Sequence, residues 1–422
     1  MPSRVERYEL GVTALNTVAP LLTLSTPEVR ADPYPYYSAL RRLAPIVRDP
    51  SGAWVVTRYA DIRLLLEHPD TTSARVASFR ALRPDSDHPA ISKAFDILER
   101  MLVYLDPPAH GTLRHHIQPA FTAPRIRRLA TTVERIVDSL LAQAWGKPDI
   151  DVIRELAGPL PIRVIGDMFG APRTDYDSIE AWSRDAGMLT GGGVTLSHAD
   201  AVRFAKSVVE YEEYFLALIR ERARRPGDDL LSTLVGADSH GGALGHEQAA
   251  ANAMFLVGAG HMTTTHLIAN GVVALSRNPD IVQRLRDSPE LWPTAIDELL
   301  RYDSPVQLIG RGVSRAIDLG PERLAAGDLV YLAVGSGNRD ADQFVSPDSL
   351  ALDRVRGRHL GFGLGIHYCM GAGLARLEAA IALRRLLERT HALYVPLHEL
   401  EWQGNPTFRG LTRLPLQTSG SS

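Results

Sequence analysis

The residue best equipped for chemistry is the only cysteine among 422 residues, Cys369. It stands in Phe362-Gly363-Leu364-Gly365-Ile366-His367-Tyr368-Cys369-Met370-Gly371, whose three glycines let the backbone take positive φ. The segment that follows, Leu374-Ala375-Arg376-Leu377-Glu378-Ala379-Ala380, is made of strong helix formers. The thiol is therefore expected on a tight loop at a helix entrance, where free N–H groups and the positive dipole end favour a thiolate. A thiolate pinned there can ligate a soft or borderline metal, and Phe362 has the flat face to pack against a planar cofactor. A lone cysteine is more often a small buried hydrophobe, so the argument rests on the neighbours and their spacing.

A second group lies further up the chain. From about Glu247 to Asn278 no proline interrupts a largely apolar run. At 1.5 Å per residue this predicts a helix roughly 48 Å long. Asn252, His261, His266, Asn270 and three threonines argue for a buried core helix over a membrane span. Its middle reads Gly258-Ala259-Gly260-His261-Met262-Thr263-Thr264-Thr265. Small residues there admit a flat ligand to the backbone. The Thr263 hydroxyl is placed to bond the Ala259 carbonyl one turn back and bend the helix. A kinked core helix with a packing glycine explains the same residues without a ligand.

Phe-Gly-x-Gly-x-His-x-Cys-x-Gly resembles the heme-binding loop of the cytochrome P450 family. The central helix resembles the family's oxygen-binding groove, Ala-Gly-x-acid-Thr-Thr. Asp-Pro-Tyr-Pro at 32–35, Pro226-Gly227-Asp228-Asp229-Leu230-Leu231, Asn338-Arg339-Asp340 and Arg409-Gly410-Leu411 extend the likeness over about residues 30–416. The resemblance implies heme b (iron protoporphyrin IX) with Cys369 as axial thiolate, which favours O–O cleavage. It puts Ala259 and Gly260 on the small pair facing heme and Thr263 on the oxygen-activating threonine. It departs at Met262, where the family has an acid that helps deliver protons. A thioether carries none, which leaves water, Thr264 or the substrate as the route.

By the same resemblance His110, Arg114, Arg311 and His367 are the partners of the two heme propionates, whose burial needs cationic or hydrogen-bonding groups. His110 and Arg114 lie one helical turn apart, on one face. Glu298, Arg301 and Arg354 match a buried structural network of the family, with Leu350 where an aromatic is common. The implied activity is that of a heme-thiolate monooxygenase acting on a medium-sized organic molecule with dioxygen, in secondary metabolism. Electrons come from a separate ferredoxin and ferredoxin reductase, since nearly the whole chain is accounted for without a flavin or nicotinamide domain. Arg354, Arg356, Arg358 and His359 form a candidate cationic docking patch. The substrate wall is expected from the 71–105 loop, the 175–205 region, the central helix, Gln307 to Ile309 and the turn near Phe408, with Leu102 and Val103 included. Arg75, Arg80 and Arg83 suit an anionic group on the substrate. Two other readings stay open: the same fold running an atypical oxidation (ring closure, C–C or C–N coupling, or peroxide use), and a non-enzymatic heme-thiolate carrier or sensor.

The elements that must position these residues are mostly helical. The expected architecture is mainly α with small β-sheets, the cytochrome P450 fold, in a single domain over 1–422 with a short flexible segment at about 1–28. Residues 32–70 read as helix, two short strands and helix; 71–100 as a long loop with a short helix near 91–100. Helices dominate from Pro107 to about Leu244, with a break at Gly191-Gly192-Gly193. Strands return around Asp328–Val334. With 45% hydrophobic and 23% charged residues and a net charge of −3, nothing points to nucleic acid or an anionic membrane. One cysteine excludes an internal disulfide framework and fits a reducing cytoplasm. No membrane anchor is legible at the N-terminus, and a monomer is expected.

Overall fold

The computed structural model describes residues 19–147, 149–192, 196–236, 244–354 and 357–417. Seven helices build the body around the two candidate regions: α1 (Ala109–Ile117), α2 (Ala123–Ala144), α3 (Tyr176–Gly192), α4 (His198–Arg224), α5 (His246–Ser276), α6 (Trp292–Tyr302) and α7 (Ala372–Arg389). The 31-residue α5 is the axis, packed by α3, α4 and α7. A helix apolar on all sides must be buried on all sides. Between Ala249 and Leu275 only Phe255, Gly258, Ala259, Gly260 and Thr263 are not buried. Phe255, Ala259 and Thr263 sit at the i, i+4, i+8 spacing of one face, with Gly258 and Gly260 on either side of Ala259 in the chain.

A five-stranded sheet stands beside the helices. Its strands are β1 (Ile46–Arg48), β2 (Trp54–Val56), β3 (Thr71–Thr72), β4 (Ile309–Val313) and β5 (Leu329–Leu332), in the spatial order β1-β2-β5-β4-β3. Only β2 and β5 pair in parallel. Two-stranded ribbons complete the β component, among them Pro415–Gln417 with Asp149–Asp151. Pairing of Thr71 with Val313 and of Thr72 with Gly312 brings the segment after β3 against Arg311.

β4 holds two glycines, and its strand character was not legible for that reason. Both are forced by close approach. A Cβ on Gly310 would lie 2.8 Å from Arg75 Nε, and one on Gly312 2.8 Å from Thr72 Cγ2.

The structure corrects several expectations. The segment expected to be flexible contains short helices at Pro20–Leu24 and Pro27–Ala31. Leu21, Leu24 and Val29 are buried, and the Leu21 N–H donates to Asp49 Oδ2 at 3.0 Å. The first 18 residues lie outside the described ones. The 71–100 loop carries two helices, Val76–Leu82 and Pro89–Leu98. The first was missed because seven residues hold only two fully buried apolar positions, Val76 and Phe79, too few to show a period. The break expected at the glycine run does fall between two helices: α3 ends at Gly192 and α4 starts at His198, while Gly193 lies outside the described residues. No helix among the described residues is long and apolar enough to cross a membrane.

Candidate active site

Cys369 is set by a closed loop. Gly363 and Gly365 take φ of 66° and 68°, a conformation that Cβ sterics disfavour elsewhere. The Cys369 N–H returns to the Phe362 carbonyl at 2.9 Å, and α7 starts three residues later. Backbone N–H groups of Gly371 and Ala372 face the sulfur, and Arg114 and Arg376 are its nearest cations. Burial nevertheless pushes the thiol above its usual range, outweighing all four. The helix-entrance argument gave the donors correctly and underrated desolvation. A coordinated metal ion overcomes that cost, because it deprotonates a thiol outright. Phe362 is buried, with the Arg376 guanidinium 4.5 Å from its ring centroid and Tyr368 edge-on at 6.2 Å.

The four expected propionate partners come together from α1, β4 and the cysteine loop. The rings of His110 and His367 lie 4.1 Å apart, centroid to centroid. His367 Nε2 and Ser73 Oγ share a hydrogen bond of 2.9 Å. Arg114 Nη2 donates to the Tyr368 carbonyl at 2.9 Å. Arg311, 6% exposed, reaches among the described residues its neighbour's carbonyl, Gly310 O, at 3.1 Å. Burial first, then the surrounding cations, lower the His367 pKa to about 3; burial, then Arg75, lowers Arg311 to about 9. His110 is shifted down for the same leading reason, and its Nε2 has no partner among the described residues. Buried polar groups are rarely left unpaired, so these donors fit a dianionic ligand such as the heme carboxylates.

On α5 the Thr263 hydroxyl donates to Ala259 O at 2.7 Å. A Cβ added to Gly260 would meet only Ile165 Cδ1, at 3.9 Å. Protein packing therefore does not require glycine there, and the backbone of α5 is left open to close approach at this point. Met262 points elsewhere. Its thioether occupies the space where a Cβ on Gly187 of α3 would stand, and it is 5% exposed. His261 Nδ1 and Ser183 Oγ of α3 share a hydrogen bond of 2.9 Å beside it. Gly187 and Ser183 carry no sequence signal of this role, since a glycine and a serine inside an amphipathic helix read as filler. Thr264 is buried.

The expected substrate wall is only partly free. Leu102 is buried, and its N–H donates to Asn252 Oδ1 at 2.7 Å. Val103 and Ile309 are partly buried, and a Cβ on Gly363 would lie 3.9 Å from Ile309 Cδ1, so Ile309 borders the cysteine loop. Gln307 is 3% exposed; its Nε2 donates to Ser304 O at 2.7 Å and its Oε1 has no partner among the described residues. Phe408 pairs through Val306 and abuts Gly191 at the end of α3. Arg80 and Arg83 are paired with Asp96 and Asp85.

Glu298, Arg301 and Arg354 form one buried network. Glu298 receives Arg301 Nε at 2.8 Å and Arg354 Nε at 3.0 Å. Arg354 also donates to the carbonyls of Val345, Ser346 and Ser349, which removes it from the expected docking patch. His359 faces Asp297 at 3.4 Å, Arg356 lies outside the described residues, and Arg358 is exposed.

Known proteins of the same architecture can now be set beside this geometry. The sequence model of the family described as Cytochrome P450 matches residues 290–414. Cytochrome P450 107B1 of Saccharopolyspora erythraea is 37% identical over 86% of this chain and 89% of its own. The monooxygenase PikC of Streptomyces venezuelae is 36% identical over 98% and 97%. The solved structure of P450BioI in complex with a fatty-acyl acyl carrier protein superposes with a TM-score of 0.85 at 32% identity, covering 92% of this chain and 99% of that one. With relatives of this identity aligned along nearly its entire length, the chain belongs to the cytochrome P450 family and is a bacterial-type P450 monooxygenase.

Proposed function

We propose that the chain holds heme b through Cys369 and inserts one oxygen atom from dioxygen into a medium-sized, largely apolar natural product. When bound, the cofactor supplies the activation of dioxygen. Cys369 would supply the thiolate that holds its iron. His110, Arg114, Arg311 and His367 orient the macrocycle by its carboxylates. Ala259 and Gly260 let it approach α5, and Thr263 holds a proton at Oγ1. Electrons arrive one at a time from a separate small ferredoxin served by its reductase, in the cytoplasm, with the chain acting as a single-domain monomer. Supporting the substrate class, relatives include a polyketide biosynthesis P450 of Bacillus subtilis and a vitamin D(3) 25-hydroxylase of Pseudonocardia autotrophica.

The observation that carries this reading is the sole cysteine, fixed by its own N–H bond to Phe362 O at the start of α7. Reduction under carbon monoxide should give the strongly red-shifted Soret band of thiolate ligation, and Cys369→His should abolish the shift. A mutant that keeps it would sink the reading.

Met262 motivates a second reading. Its thioether packs against Gly187, where an acid would have offered a proton. Proton supply must then pass by water, the Thr264 hydroxyl or the substrate, which suits a ring closure or coupling as well as a hydroxylation. Product analysis under isotopically labelled dioxygen separates the two: label in the product supports insertion, and its absence supports the atypical oxidation.

A further inference from the structure

Arg75 is a buried guanidinium without a carboxylate. It is 8% exposed and lies just past β3. Nη1 donates to the carbonyls of Ser73 at 3.1 Å and Val103 at 3.2 Å, and Nε has no partner among the described residues. The Tyr104 ring lies 4.6 Å from its Cζ. Nearby Arg80 and Arg83 are each neutralised by an aspartate, so an unpaired arginine is not the habit of this segment.

The room for Arg75 comes from Gly310. A Cβ at that position would stand 2.8 Å from Arg75 Nε. On the other side of the same glycine, Arg311 turns its Nη1 back to Gly310 O. Two buried guanidiniums therefore flank one residue. Burial lowers the pKa of both, and the Arg75 cation lowers that of Arg311 further. Holding like charges together out of water is costly unless something neutralises them.

The charge count defines that something. Asp106 is the carboxylate acting on this cluster, and its oxygens accept from the Ser73 N–H and the Thr72 hydroxyl. Three guanidiniums, on Arg75, Arg114 and Arg311, against one carboxylate leave two positive charges. The sequence pattern had named only two of these arginines.

We propose that Arg75 is a direct partner of one heme propionate, completing with Arg114 and Arg311 the charge that two propionates neutralise. The inference rests on the heme-thiolate reading of the site. It moves Arg75 from the substrate wall to the cofactor cradle. Through Ser73 it adjoins His367, and through the Val103 carbonyl and the Tyr104 ring it ties the 102–105 segment to that cradle.

A chemical double-mutant cycle tests it. The parent and Arg75→Met are reconstituted either with heme or with heme dimethyl ester, whose propionates carry no charge. Release into excess apomyoglobin is then timed. The expected result is release on the order of tenfold faster for Arg75→Met with natural heme, and little difference between the proteins with the diester. Arg75→Lys should fall between, and Arg83→Met should match the parent. Equal acceleration with both cofactors would reduce Arg75 to a packing role and overturn the inference. So would unchanged release together with a weakened substrate-induced spectral shift, which returns Arg75 to the substrate. If Arg75→Met does not fold, Arg75→Lys runs the same cycle, and its defect must again vanish with the diester. A parent that takes up heme without the thiolate signature would instead bring down the reading of the site itself.

Discussion

Two buried, arginine-rich clusters in this molecule treat their charge in opposite ways. In the Glu298 network Arg301 uses every donor it has. Arg301 places its five N–H donors on Glu298 twice, Asn338 O, Pro347 O and Ser349 O. Glu298 also receives Arg354 and the Ala351 N–H. In the cluster around Arg311 the reverse holds. Arg75 Nε and His110 Nε2 lack partners among the described residues, and Arg311 meets one carbonyl. A network that satisfies itself fastens backbone segments to one another. A network with spare donors and excess charge is shaped for an anion that is not part of the chain. We read the first as architecture and propose the second as a binding site, although their residue types are alike.

The largest expected effect comes from breaking the self-satisfied cluster. Arg301→Met leaves the Glu298 carboxylate underpaired and strands three carbonyls, which should cost about 3–5 kcal/mol of folding stability with or without cofactor. Denaturant unfolding of both forms reads it, and an unmoved midpoint would refute a structural role. Arg311→Met tests the other cluster. Heme release should quicken about tenfold to a hundredfold as a charge-assisted bond is lost. The apoprotein should lose little stability, since an uncompensated buried cation goes with it. Thermal unfolding of apo and heme-bound forms separates the two, and equal losses in both would erase the distinction between the clusters.

A smaller effect is expected where α3 meets α5. Gly187→Ala drives a methyl group into the Met262 thioether and should cost about 1–3 kcal/mol, with recovery in the Gly187→Ala, Met262→Ala double mutant. Absence of recovery would mean that Met262 does not fill that gap. Smallest near neutrality is the effect of the buried histidines on α5. Burial lowers His261 to about 3 and His266 to about 4, from an ordinary 6.5. Between pH 6.5 and those values the unfolded chain binds protons that the folded chain refuses, so stability should fall as the pH drops through this window. His261→Asn should flatten the slope measured by unfolding at a series of pH values, and an unchanged slope would show that His261 does not set it.

The sequence alone was enough for everything governed by local geometry. The glycine loop around Cys369, the helix after it, the long central helix and the Thr263-to-Ala259 bond all follow from φ freedom, helix propensity and the 3.6-residue period. Glu298 and Arg301 were readable as one helix face for the same reason. What tertiary structure decided lies across long separations. Pairing of β3 with β4 sets Arg75 beside Arg311, although more than two hundred residues part them. Packing of α3 on α5 turns Met262 toward Gly187, and the fold draws Arg354 inward, away from any docking surface. Burial then reverses the simple expectation for the Cys369 thiol. None of this could be read along the chain, because desolvation and charge balance depend on which distant groups share a space, and local sequence patterns carry no record of that.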